Sequence, residues 1–251
     1  MSRIEVPMAF EFPGEVYETI RAGMRDLPGE TDFLAGLLPA GGRLLDLGSG
    51  SGSTLHALAE QGFEGVGVEV SGQFVDHAKS RANDRERYVN ASFLEFDTDE
   101  TFDVVSCLFA TLNMVDPAEL PGLLVKARQW LKPGGRLVLE AAHLLNFVDS
   151  FQPSQVTHHP AADGTVVTRL ARISVHPHRA TWRNEETLLV GASGGPATLH
   201  HNFFDQWVLT APELRNLLAA AGFRVVAEHG SFRSTPPVGR GPLIQVAEID
   251  R

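Results

Sequence analysis

The residues best suited to chemistry lie in one short run, Leu44-Leu45-Asp46-Leu47-Gly48-Ser49-Gly50-Ser51-Gly52. Three alternate glycines follow an apolar segment and precede a helical pattern over Thr54–Gln61. Glycine takes backbone dihedrals that other residues avoid, and it lets a ligand touch the main chain. At the carboxyl end of the first strand of an α/β sheet, such a loop holds a nucleotide-like ligand. The spacing is G-x-G-x-G, and Ser53 stands where the dinucleotide fingerprint G-x-G-x-x-G wants its third glycine. A pyrophosphate would need helix N–H groups aimed at an anion. Asp46, two positions before Gly48, instead suits a ligand with an ammonium or sulfonium group. Glu69 closes a second apolar run, 21 positions after Gly48, where a carboxylate can accept hydrogen bonds from both ribose hydroxyls. The plain alternative is a tight strand–helix turn with no ligand, which would not call for either acid.

A second set of candidates lies further along. His143 directly follows the fifth predicted strand, where a titratable imidazole could serve as general base or substrate contact. His176 and His178 share a strand face, whereas His200 and His201 are adjacent and point to opposite faces. No motif supplies the remaining ligands, so no metal is expected. Arg169, Arg172, Arg183, Arg233 and Arg240 offer guanidinium forks that suit carboxylates and phosphates, which points to an acceptor carrying such a group. The plain reading of each is a solvated outer face of a sheet.

These residues need elements to position them. Pro13–Leu38 has helical periodicity broken at Leu27-Pro28-Gly29, which predicts two short helices. RLLDL, GVGVEV, RYVNA, FDVVSCLFA and RLVLEAA read as five strands separated by helices. Ser71 is placed to cap a helix over Gln73–Ala82. Asp116-Pro117 opens a helix that runs to Leu131. The pattern then changes: Thr165–Val175, Ala180–Val190 and Ala197–Leu209 read as three antiparallel strands. Thr210-Ala-Pro-Glu213 is a capping box for a helix ending at Gly222, and FRVVAEH and PLIQVAEI complete the sheet. The expected fold is α/β: a Rossmann-like, doubly wound seven-stranded sheet with an N-terminal helical lid and an inserted antiparallel β meander. The lid covers residues 1–40, the core 41–142 and 210–251, and the insertion 143–209.

Composition sets the outer bounds. The 251 residues, 43% of them hydrophobic, suffice for a real buried core. Lys+Arg number 21 against 31 Asp+Glu, a formal net charge of -10, which disfavours nucleic-acid binding. The charge is uneven: between 160 and 240 there are 8 Arg and 6 Asp+Glu, so the acidic excess lies elsewhere. The single cysteine, Cys107, excludes an internal disulfide and a cysteine-based zinc site. No apolar run has the length of a membrane span. The first residues lack the basic start and continuous apolar run of a signal peptide, so a cytoplasmic protein is expected.

The glycine loop, Glu69 after the second strand, and LKPGGRLVLE opening the fifth strand occur in the order of class I S-adenosylmethionine-dependent methyltransferases, which this chain resembles from Arg43 to Ala142 and again over Leu209–Ile249. The resemblance implies S-adenosyl-L-methionine as cofactor and S-adenosyl-L-homocysteine as product. It implies Gly48, Ser49, Gly50 and Gly52 around the methionine part, Glu69 on the ribose, and Val70 beside the adenine. It places the main chain around Cys107–Ala110, Leu108 included, at the methionine amino group. Ser92 stands where relatives carry an acid near the adenine amino group, with Phe93 next to it. Asn113 lies in the stretch that lines the acceptor pocket, and Tyr17 and Glu18 lie on the helix that covers the site. The insertion is similar to that of amino-sugar N-methyltransferases and the glycine N-methyltransferase-like group, where it also mediates dimers. The implied function is methyl transfer to a nitrogen or oxygen of a small molecule by in-line displacement. The alternatives are a nicotinamide-dependent oxidoreductase on a related fold and a non-catalytic, regulatory binder of the same cofactor.

Overall fold

The structure, a computed structural model, describes residues 10–143, 151–192, 194–233 and 241–250. Two short helices, α1 (Gly14–Ala22) and α2 (Leu27–Ala35), precede the sheet. The first strands and helices alternate: β1 (Arg43–Leu47), α3 (Ser53–Glu60), β2 (Glu64–Glu69), α4 (Gly72–Arg81), β3 (Glu86–Asn90) and β4 (Phe102–Cys107). A 3-10 turn over Thr111–Met114, α5 (Leu120–Trp130) and β5 (Leu131–Ala141) follow. Four antiparallel strands come next: β6 (Ser154–Pro160), β7 (Thr165–His176), β8 (Thr181–Ala192) and β9 (Ala197–Trp207). The chain closes with α6 (Ala211–Ala220), β10 (Phe223–His229) and β11 (Leu243–Ile249).

The large sheet runs β10-β11-β5-β4-β1-β2-β3, parallel except where β11 pairs antiparallel with both neighbours. Its central strands are apolar on both faces along most of their length (Leu44, Leu45, Val104, Val105, Leu137 and Val138 are buried), as helices on two sides require, with polar groups gathered toward their carboxyl ends at Asp46, Ser106 and Glu140. The strand order reverses between β1 and β4, so their carboxyl ends open the crevice where such sheets bind ligands. The fold class is therefore the expected one.

Local departures have physical causes. A fourth inserted strand, β6, pairs with β7, although SQVTHHP is polar on both faces and carries no strand pattern. β4 stops at Cys107, because Phe109 and Ala110 turn into the left-handed region. Asp116 does cap the following chain, accepting from the Ala118 N–H at 2.9 Å, but α5 begins only at Leu120. The Thr210–Glu213 capping box forms as the sequence indicates.

The inner face of the four-stranded sheet packs on the lid. Val167 and Leu188 join Phe12, Val16, Ile20 and Phe74 in one apolar cluster. The lid is thereby held over the carboxyl ends of β1 and β2.

Candidate active site

The glycine loop is built as its sequence demands. Gly48, Gly50 and Gly52 have φ of 74°, 57° and 84°, the region that side chains resist. A Cβ on Gly48 would strike the Thr111 methyl, and one on Gly50 would lie 3.0 Å from Cε1 of Tyr17. The loop N–H groups are already committed. Gly48 and Ser49 donate to the Val68 carbonyl at 2.8 and 3.2 Å, Gly52 to the Ser49 carbonyl at 3.1 Å, and Gly50 to Glu69 Oε2 at 3.0 Å. A pyrophosphate would meet the Glu69 carboxylate at the Gly50 N–H, which counts against the dinucleotide reading.

Glu69 braces that loop. Its other oxygen accepts from the Ser71 N–H at 2.8 Å, and burial raises its pKa against those two hydrogen bonds. Asp46 is buried at the end of β1 and accepts from the Ser106 hydroxyl at 2.7 Å; burial pushes it up to about 6. Two further buried acids complete an acidic floor. Glu140 on β5 accepts from the Phe109 N–H at 2.7 Å, and burial, with Glu30 adding to it, pushes it up to about 7. Glu30 on α2 is fully buried, pairs with Arg25 and accepts from the Thr54 hydroxyl at 2.5 Å. Desolvated acids in this number fit a cationic ligand.

The lid supplies the opposite charge. Tyr17 packs on Phe74 with ring centroids 4.4 Å apart, and its hydroxyl accepts from Arg21. Arg21 lies over the Phe109 ring, 3.1 Å from its centroid, with Arg25 at 5.7 Å. Glu18 latches the lid to the loop helix: it accepts from Ser53 Oγ at 2.8 Å and from Arg81 at 2.5 Å, and lies 3.1 Å from His77. Burial works against the Glu18 charge, but the Ser53, His77 and Arg81 contacts outweigh it and hold the carboxyl below its usual range.

Phe109 and Ala110, after β4, have φ of 54° and 56°. Two consecutive non-glycine residues in that region cost roughly 1–2 kcal/mol each, a strain that clusters at functional sites. Leu108, just before them, is buried and accepts from the Thr111 N–H. Asn113 is fully buried and spends its amide on main chain. Nδ2 donates to the Ala142 and Trp207 carbonyls at 2.8 Å each, and Oδ1 accepts from the Ala142 N–H at 2.9 Å. It thus reaches a ligand only through the turn it holds. Val70 is 39% exposed beside Glu69, a large apolar side chain left open at the rim. Ser92 Oγ accepts from the Leu94 N–H at 3.3 Å, and Phe93 is partly buried against the core.

His143 is buried beyond β5, bridged to Leu209, and hydrogen-bonded to main chain at Gly241; burial lowers its pKa. The inserted sheet reaches the turn through Gln206, whose Nε2 donates to the Ala110 carbonyl at 3.4 Å and whose Oε1 accepts from Asn184 at 3.1 Å. The arginines are largely spoken for. Arg169 pairs with Glu186, Arg183 with Asp205 and Arg233 with Asp26 through carboxylate forks, and Arg172 lies 3.9 Å from Glu185. Arg240 lies outside the described residues. Among the described residues, no three His, Cys, Asp or Glu side chains gather as a metal would need. No helix among them is long and apolar enough to cross a membrane.

The structure therefore brings Asp46, the glycine loop, Glu69, Tyr17 and the Leu108–Ala110 turn around one crevice. Sequence reasoning missed Arg21, Arg25, Glu30, Glu140 and Gln206. Glu140 alone had a local signal, as the acid at a strand's carboxyl end in LKPGGRLVLE.

An α/β sheet with a committed glycine loop, an acidic floor and a helical lid has the architecture of a class I methyltransferase. A family model described as a methyltransferase domain matches residues 18–228, and the chain belongs to that family. It is similar to cypemycin N-terminal methyltransferase of a Streptomyces species, 28% identical over 231 residues, 90% of this chain and 91% of that one. It is also 27% identical over 234 residues to dTDP-3-amino-3,6-dideoxy-alpha-D-glucopyranose N,N-dimethyltransferase of Streptomyces fradiae, covering 90% and 88% of the two chains. The structure of CalS10 with bound S-adenosylmethionine, an amino pentose methyltransferase from Micromonospora echinaspora, superposes with a TM-score of 0.72 at 26% identity, covering 96% and 99%. The protein is an S-adenosylmethionine-dependent methyltransferase.

Proposed function

We propose that the protein methylates an amine nitrogen of a small molecule. The observation that carries this is the gathering of buried carboxyls, Asp46, Glu69 and Glu140, toward the carboxyl ends of β1, β2 and β5. An ammonium is drawn to such a floor, and a nitrogen nucleophile needs only to arrive unprotonated. Of the relatives matched along nearly their whole length, two are named N,N-dimethyltransferases of amino sugars and one an N-terminal methyltransferase, which supports this reading.

When bound, S-adenosylmethionine supplies an activated methyl group. The chain aligns the acceptor and excludes water. In this reading Gly48, Ser49, Gly50 and Gly52 line the methionine part, and the main chain of Leu108–Ala110 takes the amino group. Asp46 faces the positive charge. Glu69 takes the ribose hydroxyls, while Val70, Ser92 and Phe93 flank the adenine. Arg21 is the lid cation placed for the carboxylate, since Arg25 is held by Glu30 and Thr54. The acceptor enters over the inner face of the inserted sheet, residues 143–209, toward Tyr17 and His143, with residues 1–40 as lid and 41–142 plus 210–251 as core. His143, with its pKa lowered, stays neutral near pH 7 and keeps a ring nitrogen able to accept a proton. Arg172, with its side chain 77% exposed, shares the outer face of β7 with Thr168 and Leu170, so it is not placed to meet a carboxylate or phosphate on an acceptor that enters over the inner face. We also propose a homodimer through the outer face of the inserted sheet.

The test is an acceptor screen by mass: amines paired with their hydroxyl isosteres, looking for a gain of one or two methyl groups. Amines should gain and hydroxyl isosteres should not. Methylation of the hydroxyl partners alone would refute the nitrogen reading. On a positive acceptor, His143→Ala should lower kcat by about 10²-fold with S-adenosylhomocysteine affinity unchanged.

A further inference from the structure

The Phe109–Ala110 turn is held from outside itself. Glu140 Oε2 accepts the Phe109 N–H at 2.7 Å, and the Gln206 amide reaches the Ala110 carbonyl at 3.4 Å. Arg21 of the lid covers the Phe109 ring. Glu140 is buried at the end of β5, in the field of the same lid arginines that border this ring. One carboxylate therefore touches the strained turn directly and the lid electrostatically, and no step of methyl transfer uses it.

We propose that Glu140 is a positioning residue: its ionised carboxylate fixes the Phe109–Ala110 turn and seats Arg21 and Arg25 over it, coupling lid closure to the geometry of the cofactor pocket. The charged and titratable groups around it are Glu30 on α2, Arg25 before α2, Arg21 on α1 and Cys107 on β4; its ladder partner on β11 is Ile244. Glu30 disfavours the Glu140 charge and the two arginines favour it, while burial keeps the Cys107 thiol neutral. Burial raises its pKa to about 7, so the carboxylate is neutral below that pH and ionised above it. Lid seating must then strengthen as pH rises through neutrality.

The test uses Glu140→Gln, whose amide oxygen still accepts the Phe109 N–H but carries no charge. Two readouts are taken on the full chain between pH 6 and 8: amide hydrogen exchange of α1 and α2 in the ligand-free protein, and S-adenosylhomocysteine affinity by calorimetry. In the wild type, the protection factors of α1 and α2, taken relative to the intrinsic base-catalysed exchange rate at each pH, and the affinity should both rise roughly five- to tenfold across this range. In Glu140→Gln the protection factors should stay flat at the low-pH value and the affinity should keep only the change that Asp46, pushed up to about 6, supplies, with the thermal midpoint close to wild type at pH 6. A variant with wild-type pH profiles would overturn the proposal. Should the variant not fold, α1–α2 protection factors in the wild type that do not change with pH would overturn it as well. Wild-type protein that shows the exchange change but binds no S-adenosylhomocysteine would count against the pocket assignment and not against Glu140.

Discussion

Glu69 acts on the pocket as a geometric acceptor before it acts as a charge. A carboxylate has about four lone-pair sites, and two are taken by the Gly50 and Ser71 N–H groups. The remaining two suit a pair of adjacent hydroxyls. Replacement by glutamine keeps the shape but turns one oxygen into an NH2 group, which must then face a backbone donor. Glu69→Gln should therefore weaken S-adenosylhomocysteine binding by about 10- to 100-fold, on the scale of one or two hydrogen bonds to a charged group. Calorimetry on the two proteins decides it: equal affinities would mean that the ribose is held elsewhere. The same arrangement explains why Asp46 and Glu69 were readable in the sequence while Arg25 and Glu30 were not. The first pair sits at strand ends beside a glycine loop, a local signature. The second pair is an ion pair inside a lid whose partner, Thr54, lies 24 and 29 residues away.

The elements around the crevice are joined by single side chains, and Asn113 is the clearest case. It ties the 3-10 turn to the end of β5 and to the end of β9 with three hydrogen bonds from a fully buried side chain. Asn113→Ala would take the partner from two carbonyls and one N–H in part-buried surroundings. At roughly 1–3 kcal/mol for an unsatisfied buried group, partly relieved by relaxation, the loss of stability should be about 3 kcal/mol. Urea unfolding monitored at equilibrium checks this; a loss below about 1 kcal/mol would show that the turn is held without it. Elements with local causes were legible in the sequence: Ser71 and Thr210 cap their helices, accepting from Phe74 and Glu213, and the apolar runs of β1, β2 and β4 are buried. β6 was not legible, because an edge strand with one buried side chain, His159, has neither alternation nor an apolar run. The early end of β4 was not legible either. Nothing in Leu108-Phe109-Ala110 marks a left-handed turn, which is imposed by Glu140, Gln206 and Arg21 from three other elements.

For the molecule as a whole, the net charge of -10 conceals a division of labour. The acidic excess includes the buried carboxyls at the strand ends beneath the lid, while two arginines of the inserted sheet are consumed inside it: Arg169 by Glu186 and Arg183 by Asp205. Those pairs lock neighbouring strands in register, which leaves the outer face without a strong field. That face is instead apolar at its middle. Val156 and Leu199 are each 62% exposed and Leu170 is 40% exposed, on rows that run Val156-Leu170-Thr187-His201 and His158-Thr168-Leu189-Leu199 across the four strands. Exposed apolar side chains that line up across a rigid sheet form a self-complementary surface, and a two-fold contact uses the same patch twice. A stable dimer needs about 800 Å² per protomer, within reach of four strands of 7 to 12 residues. The wild type should therefore sediment as a dimer at micromolar concentration. Val156→Lys with Leu199→Lys should shift it to monomer by placing four like charges in the contact. The inner face that meets the lid is untouched by these changes, so the monomeric variant should keep wild-type affinity for S-adenosylhomocysteine. A wild type that sediments as a monomer, or a double variant that stays dimeric, would move the assembly surface away from this sheet.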